Sequence, residues 1–367
     1  MFQCVQPCGH TVLRQISLSE YLRSNAVVSG NRFFGDIPFK MNKKPLQILF
    51  NAMYHNKQDF VDFATGDINC RLSSKMVTSD YGKKRLVYVP DKVLKKYHSF
   101  LNLFIFNRLP VNEDVVFSYR KGTNVAAAVR EHCNSKHFFQ TDISNFFESI
   151  TADIVRRCIL QGVDQIPVED IGEYIDRIID LVTIDGRLPL GFSTSPAISN
   201  VALLPFDDAL ANYCARNNLI YTRYSDDITI SSVDKEPLCE LDGAIRDILS
   251  AHEFPEMKLN ERKTKISSTG RKIKILGMVI LPNGQVSLDA KIKNRTETLL
   301  HLYVHNQSLL SEITNSDLQG SYETLSGLLN YANTIDKSYL DKLRRKYGIT
   351  VIDTLIHQPK KSESKKG

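Results

Sequence analysis

The sequence has no apolar run near 18 residues and no charged region followed by a short apolar stretch at its start, so we expect neither a membrane span nor a signal peptide, and a cytoplasmic chain. Paired cysteine spacing is also missing. The 7 cysteines (Cys4, Cys8, Cys70, Cys133, Cys158, Cys214, Cys239) are odd in number and scattered, which fits reduced thiols and not a disulfide framework. "CVQPCGH" places Cys4, Cys8 and His10 close together, but a zinc site needs four ligands and no second pair at metal spacing is present. No internal repeat is visible, and low complexity is confined to the basic end "QPKKSESKKG". What is there is an ordinary globular composition, 42% apolar and 24% charged over 367 residues, enough for two or three domains. Lys and Arg outnumber Asp and Glu by 47 to 41, a surplus that suits a polyanionic partner without requiring one.

Periodicity places the elements. "KKRLVYVP" reads as a short strand stopped by Pro90, and "DKVLKKYHSFLNLFIFNRL" as a helix with Val93, Leu94, Tyr97, Leu101 and Phe104 on one face. Thr151 and Asp153 start a helix through "ADIVRRCIL" by N-cap and dipole logic, and a second covers "VEDIGEYIDRIIDLVT". Ser195 is placed to cap a further helix, with Pro196 in its first position and Pro205 set to kink or split it. "KIKILGMVILPNGQVSL" reads as two strands joined at "PNG". Strands interleaved irregularly with helices indicate an α+β protein.

The most informative stretch is "LIYTRYSDDITIS", residues 219–231. Ile220, Tyr224, Ile228 and Ile230 share one parity, with Tyr221 and Arg223 between them, a period that suits two strands joined near Ser225 and Asp226. The tip would carry two adjacent carboxylates, which repel by several kcal/mol at an intermediate dielectric unless a cation lies between them. Magnesium is such a cation, ligated by one or two carboxylates, water and phosphates. Asp142, at the end of the apolar run in "FFQTDISNFF", would add a third carboxylate from a neighbouring strand and complete a two-metal site for nucleotidyl transfer.

"QTDISNFFESI", "RLPLGFSTSPAISN", "RYSDDITIS", "LNERKTKIS" and "IKILGMVI" follow one another in the order and spacing of the reverse-transcriptase palm motifs. The chain resembles the bacterial retron-type reverse transcriptases, including antiphage defence-associated enzymes, from about residue 70 to 348. The resemblance implies a right-hand polymerase of fingers, palm and thumb, divided here into residues 1–70 as an N-terminal helical extension, 71–283 as fingers and palm, and 284–367 as a helical thumb with a short basic tail. It implies two Mg²⁺ ions held by Asp142, Asp226, Asp227 and the carbonyl of Ile143. Lys263 would protonate the leaving pyrophosphate, Arg85 and Lys83 would bind the triphosphate, and Phe147 would be the steric gate against a ribose 2′-hydroxyl. Gly191 would let backbone approach the incoming base pair, with the hydroxyls of Ser193, Thr194 and Ser195 near substrate. Leu276 and Gly277 correspond to the primer grip, and Arg344 and Arg345 would hold the duplex backbone.

Leu190 stands where that family usually carries glutamine, and Ser225 where it has alanine. At the place of the retron NAxxH signature, upstream of the first palm motif, "AVREH" keeps only His132, "NAMYH" at 51–55 standing too early, and at the place of VTG "ILG" keeps only Gly277. The partners implied are a noncoding RNA template, a DNA primer or product, dNTPs, and a partner protein or second copy of the chain. Three other readings stay open: DNA extension with little or no templating, RNA synthesis, and a non-catalytic nucleic-acid-binding scaffold.

Overall fold

The structure is a computed structural model that describes residues 42–357 apart from 79–81, 83, 253, 255 and 271. Cys4, Cys8, His10, Lys83 and the basic tail lie outside the described residues. Among the described residues no helix is long and apolar enough to cross a membrane.

Among the described residues two short helices come first, α1 (Leu46–Tyr54) and α2 (Phe60–Thr65). Phe50 and Phe63 are buried and meet Tyr97 and Phe100 ring to ring at 5.2–5.9 Å. The boundary expected at residue 70 therefore does not separate these helices from the helix that carries Tyr97 and Phe100, since the aromatic faces of both are covered by one another.

An antiparallel ribbon comes next, β1 (Leu72–Thr78) with β2 (Lys84–Pro90), and then α3 (Lys92–Phe104), capped by Asp91 accepting from the Leu94 amide. After α4 (Val125–Glu131) comes β3 (His137–Ser144), the central strand. Its alternation is used on both faces: Phe139 points into the main core and Phe138 into a second one. Thr151 caps α5 (Ala152–Gln161) as expected, and α6 (Ile171–Val182) buries a stripe of isoleucines. The chain then breaks at Leu203 between α7 (Ser195–Ala202) and α8 (Leu204–Arg216), where Pro205 lies in the first turn of the second helix. Ser195 does not cap α7. Its hydroxyl is buried and donates to the Pro189 carbonyl at 2.8 Å.

Strands β4 (Ile220–Tyr224) and β5 (Asp227–Ser232) form the expected hairpin, with Tyr224 opposite Asp227 and a two-residue turn of Ser225 and Asp226. β5 also pairs with β3, placing Asp142 opposite Asp227. After α9 (Leu241–Ala251), the short strands β6 (Lys258–Leu259) and β7 (Lys265–Ser268) complete the five-stranded sheet on β3. On β4 the residues between that parity face the core: Tyr221 and Arg223 point inward and Ile220 outward. The reason is chemical, because Arg223 finds a buried carboxylate, Asp207, on the helix behind it.

The run from 273 makes three strands, not two: β8 (Ile273–Ile275), β9 (Met278–Ile280) and β10 (Val286–Leu288). Leu276 and Gly277, at φ +48° and +82°, form the tight turn between the first two, a conformation that the twist of a two-residue hairpin selects. These strands pack with α10 (Ala290–His305), α11 (Gln307–Thr314), α12 (Leu318–Ile335), α13 (Lys337–Tyr347) and α14 (Ile349–Ile356) in the second core. The sheet therefore straddles the boundary expected at 283.

Candidate active site

Three aspartates converge where β3 and β5 meet the hairpin turn. Asp142 is 4% exposed, and its neighbours Asp226 and Asp227 are half-buried at the turn. The turn that presents them is strained, since Ser225 has φ +59°, a region that costs an L-residue about 1–2 kcal/mol. Surrounding groups hold it there. The Ser225 amide donates to Ser118 Oγ at 2.8 Å, its carbonyl accepts from Arg223 Nη1 at 3.1 Å, and its hydroxyl meets the Tyr119 hydroxyl at 2.9 Å.

The electrostatics reflect this crowding. Burial first, and then the charge of Asp226, raise the Asp227 carboxyl to about 6. Burial also raises Asp226, with Asp142 adding to it and Lys263 and Arg85 opposing. Lys263 Nζ donates to Asp142 Oδ2 at 2.5 Å, and this bond raises the lysine above its ordinary range. Asp142 Oδ1 is buried with no hydrogen-bond partner. An orphaned carboxylate oxygen beside two charge-crowded carboxylates is an all-oxygen donor set that fits a hard divalent cation. Among the described residues no group of three His, Cys, Asp and Glu side chains stands ready to hold an ion; here the Lys263 ammonium takes one oxygen of Asp142.

Asp142, Asp226 and Lys263 line a cleft of about 500 Å³ that also takes in Arg85, Ile143, Phe147, Leu190 and Tyr119. Phe146 is 4% exposed in the core and Phe147 is half-buried at the cleft. Gly191, at φ +105°, lies where an added Cβ would stand 2.1 Å from the Tyr88 carbonyl oxygen. The glycine is thus needed by the β2 strand, whose Tyr88 amide donates to the Leu190 carbonyl at 2.8 Å. Ser193 is exposed, and its carbonyl accepts from Asn102 Nδ2 at 2.9 Å.

Other expected residues lie apart from the cleft. Leu276 and Gly277 form the β8–β9 turn, tied to β3 by Gln140 donating to the Lys274 carbonyl at 3.0 Å. Arg344 is taken up by Asp341 and Asp353 within its own helical unit, whereas Arg345 is exposed. His132 is buried and neutral: its ring nitrogens meet Ser231 and Thr222 hydroxyls at 2.6 and 2.8 Å, and burial pushes its pKa down to about 3.

Sequence reasoning passed over Ser118, Tyr119, Asp207 and Asn200. Only geometry reveals them, because each acts on the turn from a distant segment.

A reverse transcriptase (RNA-dependent DNA polymerase) family model matches residues 75–280, more than half of the chain. The chain belongs to that family, and with it to the divalent-metal-dependent polymerases that act on nucleic-acid templates. It is 28% identical to the Retron Ec73 reverse transcriptase of Escherichia coli over 72% of this chain and 84% of that protein, and 26% identical to the Retron Ec48 reverse transcriptase of the same organism over 78% and 70%. Among solved structures it is similar to apo telomerase from Candida tropicalis, with a TM-score of 0.44 at 12% identity, covering 78% of this chain and 60% of that one.

Proposed function

We propose that this reverse transcriptase copies a cognate noncoding RNA into DNA by two-metal nucleotidyl transfer with Mg²⁺, taking dNTPs as substrates and a DNA strand as primer and product, in cytoplasmic antiphage defence. The observation that carries the chemistry is the register of β3 against β5, which sets Asp142 opposite Asp227 with Asp226 at the adjoining turn.

Asp142, Asp226, Asp227 and the Ile143 carbonyl would hold two Mg²⁺ ions, whose chemistry when bound is activation of the primer 3′-hydroxyl and charge neutralisation at the phosphate. Lys263 leaves Asp142 to reach the pyrophosphate and give it a proton. Arg85, with Lys83 beside it in sequence, clamps the triphosphate, while Phe147 fills the space a 2′-hydroxyl would need. The β8–β9 turn at Leu276 and Gly277 meets the primer strand, and the exposed Arg345 has more freedom than Arg344 to meet the duplex backbone. A partner protein or a second copy of the chain completes the assembly.

Purification with co-expressed nucleic acid, followed by Mg²⁺ and labelled dNTPs or NTPs, tests this. The expected result is DNA complementary to a bound RNA. DNA of simple sequence matching no bound RNA would favour extension with little templating, a reading supported by the apolar Leu190 side chain in the cleft. Full biological function from an Asp226→Ala, Asp227→Ala double variant would favour a scaffold.

A further inference from the structure

Tyr119 is an aromatic residue displayed at the cleft by a rigid loop. Its backbone is at φ +58°, where a bulky L-residue is an outlier, and its side chain is 48% exposed. The loop is held on every side. Val116 bridges to Arg223 in β4, the Phe117 amide donates to the Arg223 carbonyl at 3.0 Å, and Ser118 is buried between Asn200 and Ser225. Arg120 closes back on the carbonyls of Glu113 and Val116 at 2.8 and 2.6 Å, and Thr123 on that of Phe117 at 2.9 Å. Strain kept by so many contacts at a cleft calls for a ligand.

The hydroxyl of Tyr119 is already engaged by Ser225, so the group left to a ligand is the ring. It lines the same cleft as Asp142 and Asp226, next to the turn. An aromatic ring exposed beside a polymerase's carboxylates offers a stacking platform, which every nucleoside can use because each has a π-face.

We propose that Tyr119 carries the 3′-terminal nucleoside of the growing strand, its ring face against the base, while its hydroxyl steadies Ser225 and the turn. The proposal rests on the polymerase reading of the same cleft. One side chain then couples the end of the primer to the aspartates that act on it, and it favours no particular base.

A double-mutant cycle tests it. Binding of a fluorescent DNA primer on an RNA template is measured by anisotropy for wild type and for Tyr119→Asn, whose side chain tolerates positive φ, with an intact and with an abasic 3′-terminal residue. Each change alone should weaken binding about tenfold, and the two together no more than either. Tyr119→Phe should keep the affinity within about twofold and lower only the extension rate. Strictly additive losses in a wild-type protein that binds and extends would overturn the Tyr119 assignment alone. A wild type that neither binds nor extends the hybrid would overturn the polymerase reading itself.

Discussion

Arg223 and Asp207 form an ion pair with no exposure of either side chain, joined by Nε at 2.8 Å and Nη2 at 2.5 Å. The Tyr221 hydroxyl donates to the same carboxylate at 2.8 Å, and the remaining Arg223 nitrogen reaches Asn200 and the Ser225 carbonyl. Removing one partner strands the other charge, so Asp207→Asn should cost about 3–5 kcal/mol in urea unfolding. Replacing both by apolar residues of similar volume should recover most of that stability while extension activity stays low, because the turn has lost a donor. A cost for Asp207→Asn under about 1 kcal/mol would show that the pair is not the support described.

The carboxyl of Asp227 gives a pH dependence with a definite sign. Its folded pKa, about 6, lies above its ordinary value of 3.8, so the folded state binds the proton more tightly. That contribution is complete below about pH 4 and is lost as pH rises through 6. In thermal unfolding without metal, the stability of Asp227→Asn relative to wild type should grow between pH 4 and 6 and then level off. Added Mg²⁺ should narrow the gap above pH 6, and a flat difference curve would contradict the assignment.

Gly191→Ala should act on the fingers ribbon. A Cβ 2.1 Å from the Tyr88 oxygen, at φ +105°, costs about 1–3 kcal/mol and must push β2 away. The KM for dNTPs should rise about tenfold with a smaller change in kcat, as steady-state kinetics will show; an unchanged KM would disconnect this contact from nucleotide binding.

The adjacent phenylalanines should separate cleanly. Phe147→Ala should lower discrimination against ribonucleotides at least about tenfold in single-nucleotide competition, at a smaller cost in stability than Phe146→Ala because Phe147 is only partly buried. Phe146→Ala should cost about 3–5 kcal/mol of stability and leave discrimination intact. Equal effects of the two on discrimination would refute the gate.

Much of this site was legible in the sequence. The period of two around Ser225, Asp226 and Asp227, and the apolar run before Asp142, are local signals that predicted the hairpin and its neighbouring strand. The inward face of β4 was not legible, because burying Arg223 depends on Asp207 from α8. Leu276 in a left-handed turn was missed for a related reason: leucine carries no turn signal, and the pairing of β8 with β9 imposes the conformation. Arg344 looked like a cation free for phosphate; Asp341 claims it from one turn back on the same helix, and the second acid, Asp353, is visible only once α13 and α14 are folded together.

The ribbon of β1 and β2 behaves mechanically as a cantilever. Its base is fixed where the Asp91 amide donates to the Arg71 carbonyl at 2.8 Å, and its prop is the bond from the Tyr88 amide to the Leu190 carbonyl. Arg85 stands three residues beyond that prop, about 10 Å along the strand, on a largely exposed stretch. A tilt of about ten degrees at the prop therefore swings the guanidinium's root through about 2 Å. One amide at Tyr88 thus sets the reach of the Arg85 charge, the one proposed to clamp the triphosphate.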